Sequence, residues 1–432
     1  MKRFVERMSR FLVTLLTVSL MLMGCSSATT SQAPSNSTDQ EKVLTVGIDL
    51  PLTGPSARTG QEFKAAVDMA FTEVGYKIGD YKVKLVWIDD QSDPEKATTA
   101  YEQAIQKDKI DVGILNWNSS VAVALMETTA KYKIPHFFAS GATEVVNQKW
   151  ASNDKYKYWV VKGWATPAKL SMAYVESINE AVKNGTWIPR NKKVAIYGED
   201  TDWGRSFGAT VGKAFKDTGW EIVNEEYFKN GETDLYPVLT KMKNKDATII
   251  AGTVTSPPSI AALIKQAREV NLKSLIIADG LGYAGDWYKM TGGASDGILD
   301  NVPLFTTDKA KKFATDFQAK YNIEPSAAAA GQQYDWTRFF IKIANETLKE
   351  YGSLNSETIF KYSQAKVITG QTTFDDGIIM KQLKFDAQSS PDPVVGEGEY
   401  IFPVVQYFGG KETVIWPSEQ KTAVLKVPDY AK

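Results

Sequence analysis

The chain has 432 residues, long enough for two or three domains and a sizeable core. Its 50 Lys and Arg against 51 Asp and Glu leave a net charge of −1, so no basic surface argues for nucleic acid. One Cys and one His exclude disulfides within the chain, Cys/His zinc sites and most His-dependent nucleophilic chemistry.

Residues 1–10 carry Lys2, Arg3, Arg7 and Arg10, and residues 11–23 are continuously apolar or neutral. A basic start, a short hydrophobic stretch and small residues at its exit read as a secretory signal, too short to span a bilayer comfortably. The stretch ends Leu22-Met23-Gly24-Cys25. That resembles the lipobox of bacterial lipoproteins, in which the cysteine is lipidated and becomes the first residue. The resemblance implies a signal peptide over 1–25, a lipidated Cys25 and an extracytoplasmic chain held on the cell membrane by its acyl groups. Residues 26–42, rich in Ser, Thr, Gln and Pro, read as a flexible tether. No later stretch is long and apolar enough to cross a membrane.

From there strands and helices alternate. Residues 43–49 read as a strand and 60–75 as a helix; 83–89 is a strand, and 94–107 is a helix opening with Pro94. Residues 111–115 are a short apolar run bounded by turn residues, as in a buried parallel strand. After the polar break at 116–120, apolar groups at 121, 124, 125, 128 (a Thr methyl) and 132 fall at helical spacing, with Ser119 or Ser120 at the N-cap. Strand 134–139 opens into Ser140-Gly141-Ala142-Thr143. A strand at 158–161 and a helix at 167–184 follow. Strands 193–198, 221–227, 247–252 and 274–279 then alternate with helices 203–218, 235–243 and 258–270. Repeated β-α units mean parallel sheets with helices on both faces. Two runs of them, separated near Gly163, predict an α/β chain of two Rossmann-like, doubly wound lobes rather than one oversized sheet. Next come a strand near 297–302 and helices at 308–321 and 327–351. The tail, 367–417, reads as strands and turns, with 400–408 its best strand.

Two hydroxyl-rich loops, around Ser119-Ser120 and Ser140–Thr143, thus end neighbouring parallel strands, one of them at a helix N-terminus. Free backbone N–H groups, a positive dipole end and side-chain hydroxyls make an anion site. Trp117 and Trp203 each follow a strand on a loop leading to a helix, where an aromatic can wall an apolar ligand group. Asp279 ends a strand beside glycines and can point into a cleft. Neither G-x-G-x-x-G nor a P-loop occurs, so no nucleotide cofactor is expected, and Asp89, Asp90 and Asp93 read as turn and cap residues. Asp200 and Asp202 lack the rest of a calcium loop, so no metal is expected. His136, inside a strand with no orienting partner, reads as structural.

The segments 49–63 (DLPLTGPSARTGQEF), 87–97 (WIDDQSDPEKA), 118–124 (NSSVAVA), 134–143 ending SGAT, 194–204 ending DWG, and Tyr334-Asp335 together resemble the type I periplasmic-binding-protein family. The branch they look most like is the leucine/isoleucine/valine-binding proteins of ABC importers. The resemblance implies two lobes joined by a three-strand hinge, 43–163 plus 283–365 and 164–282 plus 366–432, with the ligand trapped between them. It further implies that Ser119 or Ser120 and Ser140, Gly141 and Thr143 hold a ligand carboxylate, and that Trp203 closes over the ligand. Asp279 would pair with an α-ammonium; Thr59 stands where an aromatic is frequent, and Thr255–Pro258 (TSPP) replaces another aromatic contact. The expected protein is a monomer that does no chemistry and delivers an apolar, branched-chain-type amino acid to an ABC permease. A second expectation keeps the fold but takes an aromatic carboxylate, amide or urea-like solute; a third is an extracytoplasmic enzyme using Asp89, Asp90 or Asp279.

Overall fold

A computed structural model describes residues 41–396 and 398–432. The signal peptide, Cys25 and nearly all of the tether therefore lie outside the described residues. In chain order the strands are β1 (Val43–Leu50), β2 (Lys77–Ile78), β3 (Tyr81–Asp89), β4 (Val112–Ile114), β5 (His136–Ala139), β6 (Trp159–Lys162), β7 (Lys193–Glu199), β8 (Glu221–Phe228), β9 (Ile249–Thr253), β10 (Leu275–Asp279), β11 (Leu299–Asn301), β12 (Val404–Phe408) and β13 (Lys411–Trp416). The helices are α1 (Ala57–Glu73), α2 (Pro94–Gln103), α3 (Ser119–Tyr132), α4 (Glu144–Ser152), α5 (Met172–Lys183), α6 (Asp202–Asp217), α7 (Tyr236–Asn244), α8 (Pro257–Glu269), α9 (Trp287–Thr291), α10 (Asp308–Tyr321), α11 (Gln332–Tyr351) and α12 (Ser356–Tyr362).

The first sheet has the order β2-β3-β1-β4-β5-β6, parallel except for β2. The second has the order β13-β12-β11-β10-β9-β7-β8, parallel up to β11 and antiparallel through the β12–β13 hairpin. In each sheet the order reverses once, between β1 and β4 and between β7 and β9. Crevices for ligands form at such switch points, beyond the carboxyl ends of the strands. The central strands are buried apolar runs, as sheets covered on both faces require.

Helix α6 shows how sequence dictates this layering. Phe207, Val211 and Phe215 recur every fourth residue, and Gly204, Gly208 and Gly212 form a stripe beside them, all buried. The stripe lets the helix lie close on β7. A Cβ at Gly204 would come within 2.0 Å of the Glu199 carbonyl oxygen, and one at Gly208 within 2.2 Å of the Tyr227 hydroxyl.

The segments packed on each sheet differ from the expected boundaries. Strand β11, inside the expected first-lobe piece 283–365, belongs to the second sheet, because Leu299–Asn301 pairs with β10 and β12. The stretch from 366 to about 400, expected in the second lobe, packs on the first: Phe374 stacks on Phe339 at 5.5 Å, and Phe385 lies 6.3 Å from Phe138. It is also tied there by Lys162 and Asp392, a fully buried ion pair at 2.8 Å. The chain passes between the sheets after β6, after β11 and before β12. The last two crossings are bonded together, since the Asn301 side-chain amide donates to the carbonyls of Phe402 (2.8 Å) and Pro403 (3.2 Å). Helices α4 and α12 lack a signal strong enough to be expected from sequence, and helix α5 starts at Met172, later than 167.

Candidate functional site

A crevice between the two sheets is lined by Ser92, Trp117, Asn118, Ser119, Ser120, Ser140, Ala142, Trp164, Thr201, Trp203, Asn230, Thr255 and Tyr283. Every one of them follows the carboxyl end of a strand: β3, β4, β5 and β6 on one side, β7, β8, β9 and β10 on the other. The free volume is small, about 40 Å³, room for about three water molecules. A wider groove of about 440 Å³ runs past Trp287, Phe305 and Glu412, but it is bounded by the crossing after β11 and holds none of the expected residues.

The lips of the crevice are bonded across the lobes. Ser120 Oγ accepts the N–H of Asp202 at 3.0 Å, Ser206 Oγ donates to Glu144, and Ser56 Oγ donates to the Thr255 carbonyl at 3.4 Å. At the start of α3 the N-cap is Asn118 rather than Ser119 or Ser120, and its side chain makes no cap bond. The first turn of α3, whose Ser119 and Ser120 line the crevice, therefore has no N-cap side chain over its N–H groups, at the positive end of the helix dipole. Trp117 Nε1, Asn118 Oδ1, Ser140 Oγ and Asn230 Oδ1 are buried and have no partner within the protein. Buried polar atoms of this kind cost about 1–3 kcal/mol each unless something satisfies them.

Aromatic rings form the walls. Trp117, Trp164 and Tyr283 meet edge to face, with centroids 5.0 Å (Trp117–Tyr283), 5.7 Å (Trp164–Tyr283) and 6.2 Å (Trp117–Trp164) apart. Trp203, on the second-sheet side like Tyr283, donates its indole N–H to Thr253 Oγ1 at 2.7 Å. No acid or base lines the crevice among the described residues.

The structure thus gathers Trp117, Ser119, Ser120, Ser140 and Trp203 around one hollow and leaves the other expected residues behind it. Thr143 is fully buried, absent from the lining, and caps α4 through Val145 N at 3.3 Å. Gly141 backs onto Ala122, where a Cβ would come within 2.5 Å. Thr59 is buried on α1 and donates to the Tyr283 carbonyl at 3.4 Å. Asp279 also stands one layer back. Its Oδ1 accepts from Thr253 Oγ1 (2.7 Å) and the Tyr283 hydroxyl (2.6 Å), and its Oδ2 accepts from the Tyr174 hydroxyl (2.9 Å). Strand β10 aims it at its own lobe, so it is not positioned to meet a ligand ammonium. Burial holds its carboxyl above the usual range, against these hydroxyls, and the neighbouring Asp300 is raised likewise.

Of the acids behind the enzyme expectation, Asp89 takes the N–H (3.0 Å) and hydroxyl (2.7 Å) of Thr53, and Asp90 takes the N–H of Ser92 (2.6 Å) on one oxygen while its other oxygen is buried without a partner within the protein. Asp93, read as a cap, caps α2. His136 lies flat on Trp159 at 4.2 Å, between the Tyr101 hydroxyl and the Leu115 carbonyl, and burial pushes it down to about 3. Sequence reasoning missed Ser92, Asn118, Thr201, Asn230 and Tyr283. Their shared signal, a place within four residues of a strand's carboxyl end, was legible.

Two doubly wound lobes thus meet in a crevice at facing switch points, closed by bonds from lip to lip. The chain belongs to the family described as Periplasmic binding protein, whose sequence model matches residues 43–384. A Leu/Ile/Val-binding protein homolog 6 of Brucella suis biovar 1 (strain 1330) is 24% identical over 233 residues, 54% of this chain and 56% of that one. The chain thus spans about half the length of the curated relatives it matches first. Among solved structures, a putative branched-chain amino acid ABC transporter from Silicibacter pomeroyi superposes with a TM-score of 0.70 at 18% identity, over 90% of this chain and 100% of that one. A solute binding protein of an ABC transporter from Rhodopseudomonas palustris BisB5, in complex with 3,4-dihydroxy benzoic acid, gives 0.68 at 20% identity, over 86% and 95%. At these identities the likeness bears on the fold.

Proposed function

We propose that this chain is the extracytoplasmic solute-binding protein of an ABC importer, anchored through Cys25, which traps a small carboxylate by closing two lobes on it and hands it to the permease without altering it. The observation that carries this reading is the lining itself: unsatisfied donors at Ser140 and Trp117 beside the open first turn of α3, with aromatic walls around them. Free donors in one crevice suit a carboxylate, and each charge-assisted bond contributes about 1.5–3 kcal/mol net. A few of them in a crevice that excludes water reach a micromolar constant, about −8 kcal/mol, after ordering costs. A ligand that touches both lobes stabilises the closed form alone.

The relatives' names support an apolar, branched-chain amino acid as the ligand. One observation favours the second reading, an aromatic carboxylate: no acid lines the crevice to pair with an ammonium, while four aromatic rings do line it. The name of the Rhodopseudomonas palustris complex supports that ligand chemistry. Thermal-shift titration with isoleucine and with benzoate discriminates between them, because a true ligand raises the melting temperature with concentration. A shift with benzoate alone upholds the aromatic reading; a shift with isoleucine alone returns the amino-acid reading; no shift with any small carboxylate ends both. A Cys25→Ser chain is expected to leave the membrane fraction.

A further inference from the structure

Two aromatic residues from the second-sheet side of the crevice converge on one carboxylate that lies behind them. Tyr283, after β10, donates its hydroxyl to Asp279 Oδ1 at 2.6 Å. Trp203, after β7, donates to Thr253 Oγ1 at 2.7 Å, and Thr253 donates its own proton on to Asp279 Oδ1 at 2.7 Å. A threonine hydroxyl has one proton to give. It can receive the indole N–H and stay oriented only while Asp279 accepts from it. Tyr174 fixes the other oxygen at 2.9 Å and reaches Asp300 at 3.2 Å. Asp300 in turn accepts the N–H groups of Gly280 (3.1 Å) and Gly282 (2.8 Å), which lead into Tyr283. Asp279 is 2% exposed and is absent from the lining.

We infer that Asp279 is a positioning residue for ligand binding: it sets the rotamers of Tyr283 and, through Thr253, of Trp203, without touching the ligand. Its influence on affinity is then the same for ligands with and without an ammonium group. This rests on the crevice being the ligand site. Tyr283 carries the consequence across the hollow, because its ring is the partner of both Trp117 and Trp164. A loosened Tyr283 frees all three rings from their edge-to-face arrangement.

The test uses the full chain, isoleucine and benzoate as calorimetric probes, and 5-fluorotryptophan labelling to read Trp203 by fluorine NMR, its resonance assigned by Trp203→Phe. Asp279→Asn and Thr253→Val are each expected to shift the Trp203 resonance of the ligand-free protein while leaving that of Trp187, packed on Trp220 in the second lobe, in place. Asp279→Asn should weaken whichever probe binds by about tenfold, the worth of a hydrogen bond to a charged group. In a Tyr283→Phe background the same change should cost less than in the wild type, since its partner is already gone. The inference is overturned if the Trp203 resonance stays put in both variants. It is equally overturned if Asp279→Asn abolishes isoleucine binding and leaves benzoate untouched, which would make it a direct ammonium partner. Should neither probe bind the wild type, the ligand reading fails, and the fluorine spectra of the ligand-free variants still decide the positioning role. If Asp279→Asn does not fold, the near-isosteric Thr253→Val decides it alone.

Discussion

Ser120, in the first turn of α3, accepts the backbone N–H of Asp202, the first residue of α6, at 3.0 Å. The bond joins the N-terminal ends of two helices that belong to different sheets. It exists only while the lobes are together. Ser120→Ala is expected to weaken closure by about 1 kcal/mol, which makes ligand leave about five times faster. Stopped-flow displacement measures this, and small-angle scattering should find a larger share of open molecules. Thermal stability should change little, because neither lobe loses an internal contact.

Lys162 and Asp392 form an ion pair with both side chains fully buried, and Lys169 adds a second cation to Asp392 at 2.9 Å. Without Lys162, Asp392 would still hold Lys169, whereas removing Asp392 leaves the buried Lys162 ammonium uncompensated. Asp392→Leu is therefore expected to cost about 3–5 kcal/mol in urea denaturation. Adding Lys162→Met to it should recover most of that loss, and a double change no better than the single one would contradict this account.

His136 is the one histidine of the chain, which makes its titration easy to follow. Buried against Trp159, it titrates at about 3 rather than 6.5. An unfolded chain binds this proton first as pH falls, so the unfolded state gains. The group's contribution to stability is complete above about pH 6.5 and is lost progressively down to about pH 3, by up to about 1.4 kcal/mol per unit. Its ring-proton chemical shift should stay constant from pH 7 to pH 4 in the folded protein. A midpoint near 6.5 would mean that the ring is not held neutral.

Gly204 sits where a Cβ would meet the Glu199 carbonyl at 2.0 Å, backbone that cannot give way cheaply. Gly204→Ala is expected to push the start of α6 away from β7, costing about 1–3 kcal/mol. Because Trp203 is the neighbouring residue, affinity for ligand should fall together with the melting temperature. Gly293→Ala, where a Cβ meets nothing within 4 Å, is the matched control and should change neither.

The alternation of strands and helices was readable because the periods are clean: α6 buries every fourth residue, and β7, β9 and β10 carry apolar runs that end in a polar residue. The donors on α3 were readable for the same reason, since turn chemistry marks a strand-to-helix loop whatever surrounds it. What sequence could not yield was direction. Whether Asp279 faces the crevice or its own lobe depends on Tyr174 and Tyr283, and Tyr174 lies 105 positions away. Thr143 carried a binding signal and a capping signal at once, and the local bond to Val145 won. The boundaries between lobes failed for a related reason: residues 366–400 have little regular structure to betray which sheet they cover, and long-range contacts settle it, the stacking on Phe339 and the Lys162–Asp392 pair among them.

The antiparallel hairpin β12–β13 completes the second sheet from the far end of the chain. Without β12 and β13, β11 is a raw edge of an apolar sheet, open to pairing with another molecule. A chain cut short before Val404 would therefore present a sticky border rather than a shorter protein. Such truncations are expected to aggregate even though every residue of the crevice is still present in them.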